Sequence, residues 1–186
     1  TINARVAYWP PYQFWQNGPQ GISVDYLKKI GEKYGLDIQF YAADEPWAKA
    51  LENLLNHRRP DILTTIHHTP DREKDIAFST DYLSIPWVIF NRKDGDFIGG
   101  IDDLRGKTVA VQRDFVMQDI LKDEYPEIKI LTVNDTLEEL KAVSTGQVDA
   151  CIDNLAVGTY IIQENGLFNV KVAAPTPFPN HTQAFG

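Results

Sequence analysis

Asp61-Ile62-Leu63-Thr64-Thr65-Ile66 runs directly into His67-His68-Thr69-Pro70-Asp71-Arg72. The first six residues read as a buried strand, because a short, β-branched apolar run bounded by turn formers suits the interior of a parallel sheet. The next six are polar. In open α/β sheets, ligands bind beyond the carboxyl ends of the strands, so a loop here that offers hydroxyls, imidazoles and a guanidinium is a candidate site.

The same alternation of strand and helix extends outward in both directions. Toward the amino terminus, Asp44-Glu45-Pro46 starts a helix whose Trp47, Ala50, Leu51, Leu54 and Leu55 share one face, and Ile38 to Tyr41 reads as a strand. Gly21 to Tyr34 is a helix stopped by Gly35, and Arg5 to Tyr8 is the first strand. Toward the carboxyl terminus, Pro86 to Phe90 is a strand, after which apolar periodicity lapses over Asn91 to Gly100. It restarts with strands at Thr108 to Gln112, Ile128 to Val133, Asp149 to Ile152 and Val170 to Ala173, separated by helices from Phe115 to Leu121, from Thr136 and from Asn154. Thr136 with Glu139 fits a capping box, and Gly146 fits a helix stop. The chain is therefore expected to be α/β with two similar halves and a cleft between them.

Composition narrows the function. Twenty-six acidic against eighteen basic residues give a net charge of -8 over 186 residues, which argues against nucleic-acid binding. No apolar run approaches the roughly 20 residues that cross a bilayer, so any leader or membrane anchor is expected outside this stretch. The single cysteine, Cys151, sits in an apolar run and reads as a buried small hydrophobe.

Within the loop, Arg72 at a strand end can hold a carboxylate through two parallel hydrogen bonds, with neighbouring hydroxyls and ring nitrogens taking the remaining lone pairs. The competing reading is a solvated Arg72 paired with Asp71 or Glu73. His67 and His68 alone make a poor metal site, so neither metal nor cofactor is expected. The aromatics Tyr8, Trp9, Tyr12, Phe14 and Trp15 can stack on a ligand or simply pack beneath their loop. Gly106-Lys107-Thr108 resembles the end of a phosphate loop but enters a strand and lacks the earlier glycine. Asp114 and Asp153 could face one cleft as an acid-base pair, although helix caps explain both as well.

Several stretches, taken in order, resemble the class II periplasmic solute-binding proteins of the polar amino-acid group (bacterial extracellular solute-binding family 3). They are Trp9-Pro10-Pro11-Tyr12, Gly21 to Leu27, Thr69-Pro70-Asp71-Arg72, Phe78-Ser79, Asp103 to Val111 and Val148-Asp149-Ala150. Phe97-Ile98-Gly99, Asn154 to Val157 and Ala174 to Pro177 are more narrowly similar to flytrap sensor domains of bacterial histidine kinases. The resemblance implies a two-lobed periplasmic-binding-protein type II (Venus flytrap) fold, each lobe a mostly parallel sheet flanked by helices. Residues 1–92 would form lobe 1, with 181–186 beginning the return to it, and 93–180 would form lobe 2; the family's usual carboxyl-terminal return strand and helix would be absent from this stretch.

Carried over by position, the resemblance makes Arg72 the carboxylate-binding arginine, Thr65 and His67 its loop partners, and Trp9 and Trp47 the residues that sandwich the ligand. In lobe 2 it points to Asp114 and Phe115, where the family has a glycine and a hydroxyl residue, and to Asn154, where it has an acid for the ligand's amino group. An amide holds an ammonium less firmly than a carboxylate, so the ligand need not be a plain α-amino acid. The implied function is a periplasmic sensor domain of a membrane-bound histidine kinase, closing on a small polar ligand such as an amino acid or carboxylate, with a homodimer as a candidate assembly. The alternatives are the substrate-binding protein of an amino-acid ABC transporter and a dehydratase-like enzyme of the same fold.

Overall fold

The computed structural model describes residues 1–113 and 115–186. They divide into two compact units, one of Thr1–Ser84 with His181–Gly186 and one of Ile85–Asn180.

In the first unit, strand β1 (Ile2–Val6) is followed by a small ribbon of β2 (Phe14–Trp15) and β3 (Pro19–Gln20), helix α1 (Ile22–Tyr34), strand β4 (Ile38–Ala42), helix α2 (Trp47–Leu55) and strand β5 (Ile62–Leu63). The sheet order is β4-β1-β5 and every pairing is parallel. Gly35 ends α1 at φ 65°, a left-handed conformation that glycine adopts without a Cβ penalty. Ala4, Leu27 and Phe185 form one apolar cluster, and Ala50, Leu63, Ile66 and Ile76 form another under the candidate loop.

The strand expected over Asp61 to Ile66 is shorter than its apolar run. Thr64 and Thr65 turn their hydroxyls to Gln13, and Ile66 instead bridges antiparallel to Ala184. Beyond the loop, β6 (Leu83–Ile85) pairs with the final strand β12 (His181–Gln183).

The second unit contains β7 (Trp87–Arg92), β8 (Thr108–Gln112), α3 (Val116–Glu124), β9 (Lys129–Val133), α4 (Thr136–Thr145), β10 (Ala150–Asn154), α5 (Leu155–Asn165) and β11 (Val170–Pro175). Its sheet runs β11-β7-β10-β8-β9; β7 is antiparallel to both neighbours, and the pairs β10–β8 and β8–β9 are parallel. Thus β7, which precedes the polar stretch taken as the lobe boundary, lies inside the second unit's sheet.

Phe90, Ile89, Ile152, Val109 and Val111 are buried at 1% exposure or less, each such side chain contributing about 1.5 to 3 kcal/mol. Helix α5 lies so close to β7 that a Cβ on Gly158 would meet the Phe90 ring at 2.3 Å. The cap of α4 is one residue earlier than expected. Asp135 accepts from the Glu138 N–H at 2.8 Å, and Glu138 reaches back to the Asn134 N–H at 2.9 Å. Thr136 and Glu139 face inward and are buried.

Candidate functional site

Thr69 and Pro70 shape the turn that carries Arg72. The Thr69 hydroxyl accepts from the Arg72 N–H at 3.2 Å and its carbonyl from the Glu73 N–H at 3.0 Å, which opens the short turn Arg72–Lys74. Neighbouring charges pair among themselves: Asp71 accepts from Lys74 at 2.7 Å, and Glu73 meets His68 Nδ1 at 3.0 Å. Arg72 donates through Nη1 to the His67 carbonyl at 2.9 Å, and no described carboxylate lies within ion-pair distance of it. The solvated pairing with Asp71 or Glu73 is therefore not formed.

Partial burial pulls the Arg72 pKa below its ordinary value, yet a guanidinium stays protonated. Among the described residues this cation has lost water without gaining a counter-ion, and an anionic ligand would restore the balance.

Of the other first-unit candidates, Trp47 and His67 contact Arg72. Trp47 opens α2 with 38% of its surface exposed, and its ring centroid lies 5.9 Å from the Arg72 guanidinium carbon, the outer limit of a cation–π contact. His67 Nδ1 stands 2.9 Å from the Thr182 carbonyl. A carbonyl only accepts, so Nδ1 carries the proton, and in the neutral ring Nε2 is an acceptor. Thr65 is buried and accepts from Gln13 Nε2 at 2.7 Å. Trp9 packs its ring on Tyr12 at 5.0 Å and bridges Gln13 through its backbone.

Two residues of this cluster escaped the sequence reading. His181 lies with its ring 4.3 Å from His67; burial first, then the charges of His67 and Arg72, lower its pKa from 6.5 to about 4. Gln13 had a faint signal, as a polar side chain set between Tyr12 and Phe14. His181 had none, because it arrives from more than a hundred residues away. His68 is tied down by Glu73, by the Ser79 carbonyl at 3.2 Å and by the Phe78 ring at 4.2 Å. Among the described residues, no three His, Cys, Asp or Glu side chains converge as metal ligands.

In the second unit Phe115 precedes α3 and is 43% exposed, while Asp114 lies outside the described residues. Asn154 is buried, and its Oδ1 accepts from the Ala156 N–H at 3.2 Å and the Val157 N–H at 3.5 Å, capping α5. Asp153 is also buried and taken up internally: it accepts from Thr136 Oγ1, from Gln112 Nε2 at 3.2 Å and from the Asn154 N–H at 2.6 Å. Beside it Glu139 is buried to 1% exposure, and burial, then the Asp153 carboxylate, push its pKa well up. Lys107 of the apparent phosphate loop is paired with Asp96 at 2.6 Å.

The profile of the bacterial extracellular solute-binding proteins, family 3, matches residues 3–154. The chain belongs to that family. As a family 3 protein it is a binding module of the extracytoplasmic side and not an enzyme, with a flytrap-type α/β fold. The virulence sensor protein BvgS of Bordetella pertussis is 26% identical over 178 residues, covering 95% of this chain; the chain spans 14% of the length of that relative. A crystallised histidine kinase sensor domain with similarity to periplasmic binding proteins superposes with a TM-score of 0.84 at 27% identity, over 100% of this chain and 81% of the other. The arginine-binding extracellular protein ArtP of Bacillus subtilis is 29% identical over 148 residues, 76% of this chain and 56% of its own length. Among the described residues no helix is long and apolar enough to cross a membrane.

Proposed function

We propose that this chain is the ligand-capturing domain of a membrane-bound sensor of the histidine kinase type, and that it takes a small polar ligand through a carboxylate held by Arg72. The observation that carries the reading is the partly buried Arg72 guanidinium without a described carboxylate partner, placed beside His67 and Trp47. Two relatives with sensor roles, BvgS and the crystallised kinase sensor domain, support the signalling context. Relatives named for binding arginine and cystine support an amino-acid-like ligand. In the second unit Asn154 Oδ1 and the Asp153 oxygens are spent on the backbone and on neighbouring side chains, which favours a ligand whose recognition rests on its carboxylate more than on its ammonium.

A thermal-shift screen against amino acids, small carboxylic acids and polyamines tests this. A ligand at a hundred times its dissociation constant stabilises by about 2.7 kcal/mol, and Arg72→Ala should remove about 1.5 to 3 kcal/mol of its affinity while leaving the fold intact. Carboxylate hits that Arg72→Ala leaves unchanged, or hits confined to polyamines, refute the site.

A further inference from the structure

We propose that Gln13 is a positioning residue that sets the hydrogen-bond polarity of Thr65, so that the loop meets an anion with a hydroxyl proton instead of a lone pair. The inference rests on the reading of Arg72 as a carboxylate anchor.

The geometry leaves Gln13 one orientation. Its side chain is 4% exposed, and its Oε1 lies 3.0 Å from the Ala7 N–H and 2.8 Å from the Thr64 hydroxyl. A backbone N–H only donates, so the atom facing Ala7 must be the carbonyl oxygen; turning the amide over would set N–H against N–H. Nε2 is thereby aimed at Thr65 Oγ1, 2.7 Å away, and donates to it.

A threonine hydroxyl owns one proton and two lone pairs. With a lone pair of Thr65 filled by Gln13, its proton is left for another acceptor, and among the described residues Thr65 donates to none. Thr65 stands two residues before His67, whose carbonyl fixes Arg72. One loop therefore carries both an outgoing hydroxyl proton and a guanidinium, seven residues apart in sequence. A carboxylate oxygen can use both, whereas an amide nitrogen or an ammonium can use neither. Gln13 acts as a selectivity element without touching the ligand.

The test is a double-mutant cycle with acetate as the probe, followed by NMR titration of the loop's backbone amides. Thr65→Val and Gln13→Met should each weaken acetate about ten- to a hundredfold, the worth of one hydrogen bond to a charged group, and the double variant should be no weaker than either alone. A purely structural Gln13 lowers the unfolding midpoint but gives effects on acetate that multiply, or none. Should Gln13→Met fail to fold, Gln13→Glu replaces it: an ionised carboxylate only accepts, so it draws the Thr65 proton away, and the Thr65→Val background subtracts the effect of bare charge. Loss of acetate on Arg72→Ala with no loss on Gln13→Met overturns this inference alone. No acetate response at the loop of the unaltered protein overturns the carboxylate reading and this inference with it.

Discussion

Replacing His181 with phenylalanine should flatten the stability of the domain against acid. The His181 ring faces His67 at 4.3 Å, and burial together with the His67 and Arg72 charges lowers its pKa from 6.5 to about 4. The group is depressed, so between those values the unfolded chain binds a proton that the folded chain refuses. The contribution of His181 to stability is full above pH 6.5, falls as the pH drops through that window and is lost below about 4. At 1.36 kcal/mol per unit the displacement corresponds to roughly 3 kcal/mol, and about 2 kcal/mol once screening of the partly exposed ring is allowed for. Phenylalanine keeps an aromatic face against His67 and cannot titrate. Urea unfolding of both proteins at pH about 7.5 and about 4.5 reads out this group together with its coupling to His67, because titrations remote from it cancel in the difference. The unaltered protein should lose about 2 kcal/mol more than His181→Phe. Equal losses would show that His181 is protonated in the fold and refute the argument.

Two further outcomes follow from the second unit. Asn154→Ala removes the Oδ1 that caps α5 and should cost about 1 kcal/mol of unfolding free energy measured in urea, while affinity for a carboxylate probe holds; a drop in that affinity would assign Asn154 to the ligand. Glu139 has its pKa raised by burial and by Asp153, so the stability it contributes at low pH is lost as the pH climbs through its folded value. Glu139→Gln should therefore be more stable than the parent at neutral pH, with the gap closing in acid, and calorimetry showing the reverse trend would place the charge elsewhere.

The elements themselves were largely legible. Apolar spacing located the helices, and Gly35 and Gly146 stop helices in the left-handed conformation that their positions imply. The loop from Thr64 to Arg72 was legible as a polar turn because polar side chains followed a buried strand. What the spacing could not convey was partnership. Asp135 and Thr136 are both good capping residues, and only the inward pull of Asp153 on the Thr136 hydroxyl decides between them. The antiparallel placement of β7 has no local signature, since pairing direction depends on strands that arrive later in the chain. His181 and Gln13 owe their places beside the loop to tertiary return and to a buried amide whose two ends face different partners.

The contact between Gly158 and Phe90 carries a consequence for how this sequence can drift. A methyl at position 158 has no room while a phenyl ring occupies position 90. The two sites, 68 residues apart, can change only as a pair, bulk on the helix being admitted when the strand residue shrinks. Relatives with alanine or serine at this helix position should therefore carry a smaller side chain on the facing strand, a substitution pattern set by shape alone and blind to whatever ligand each protein senses.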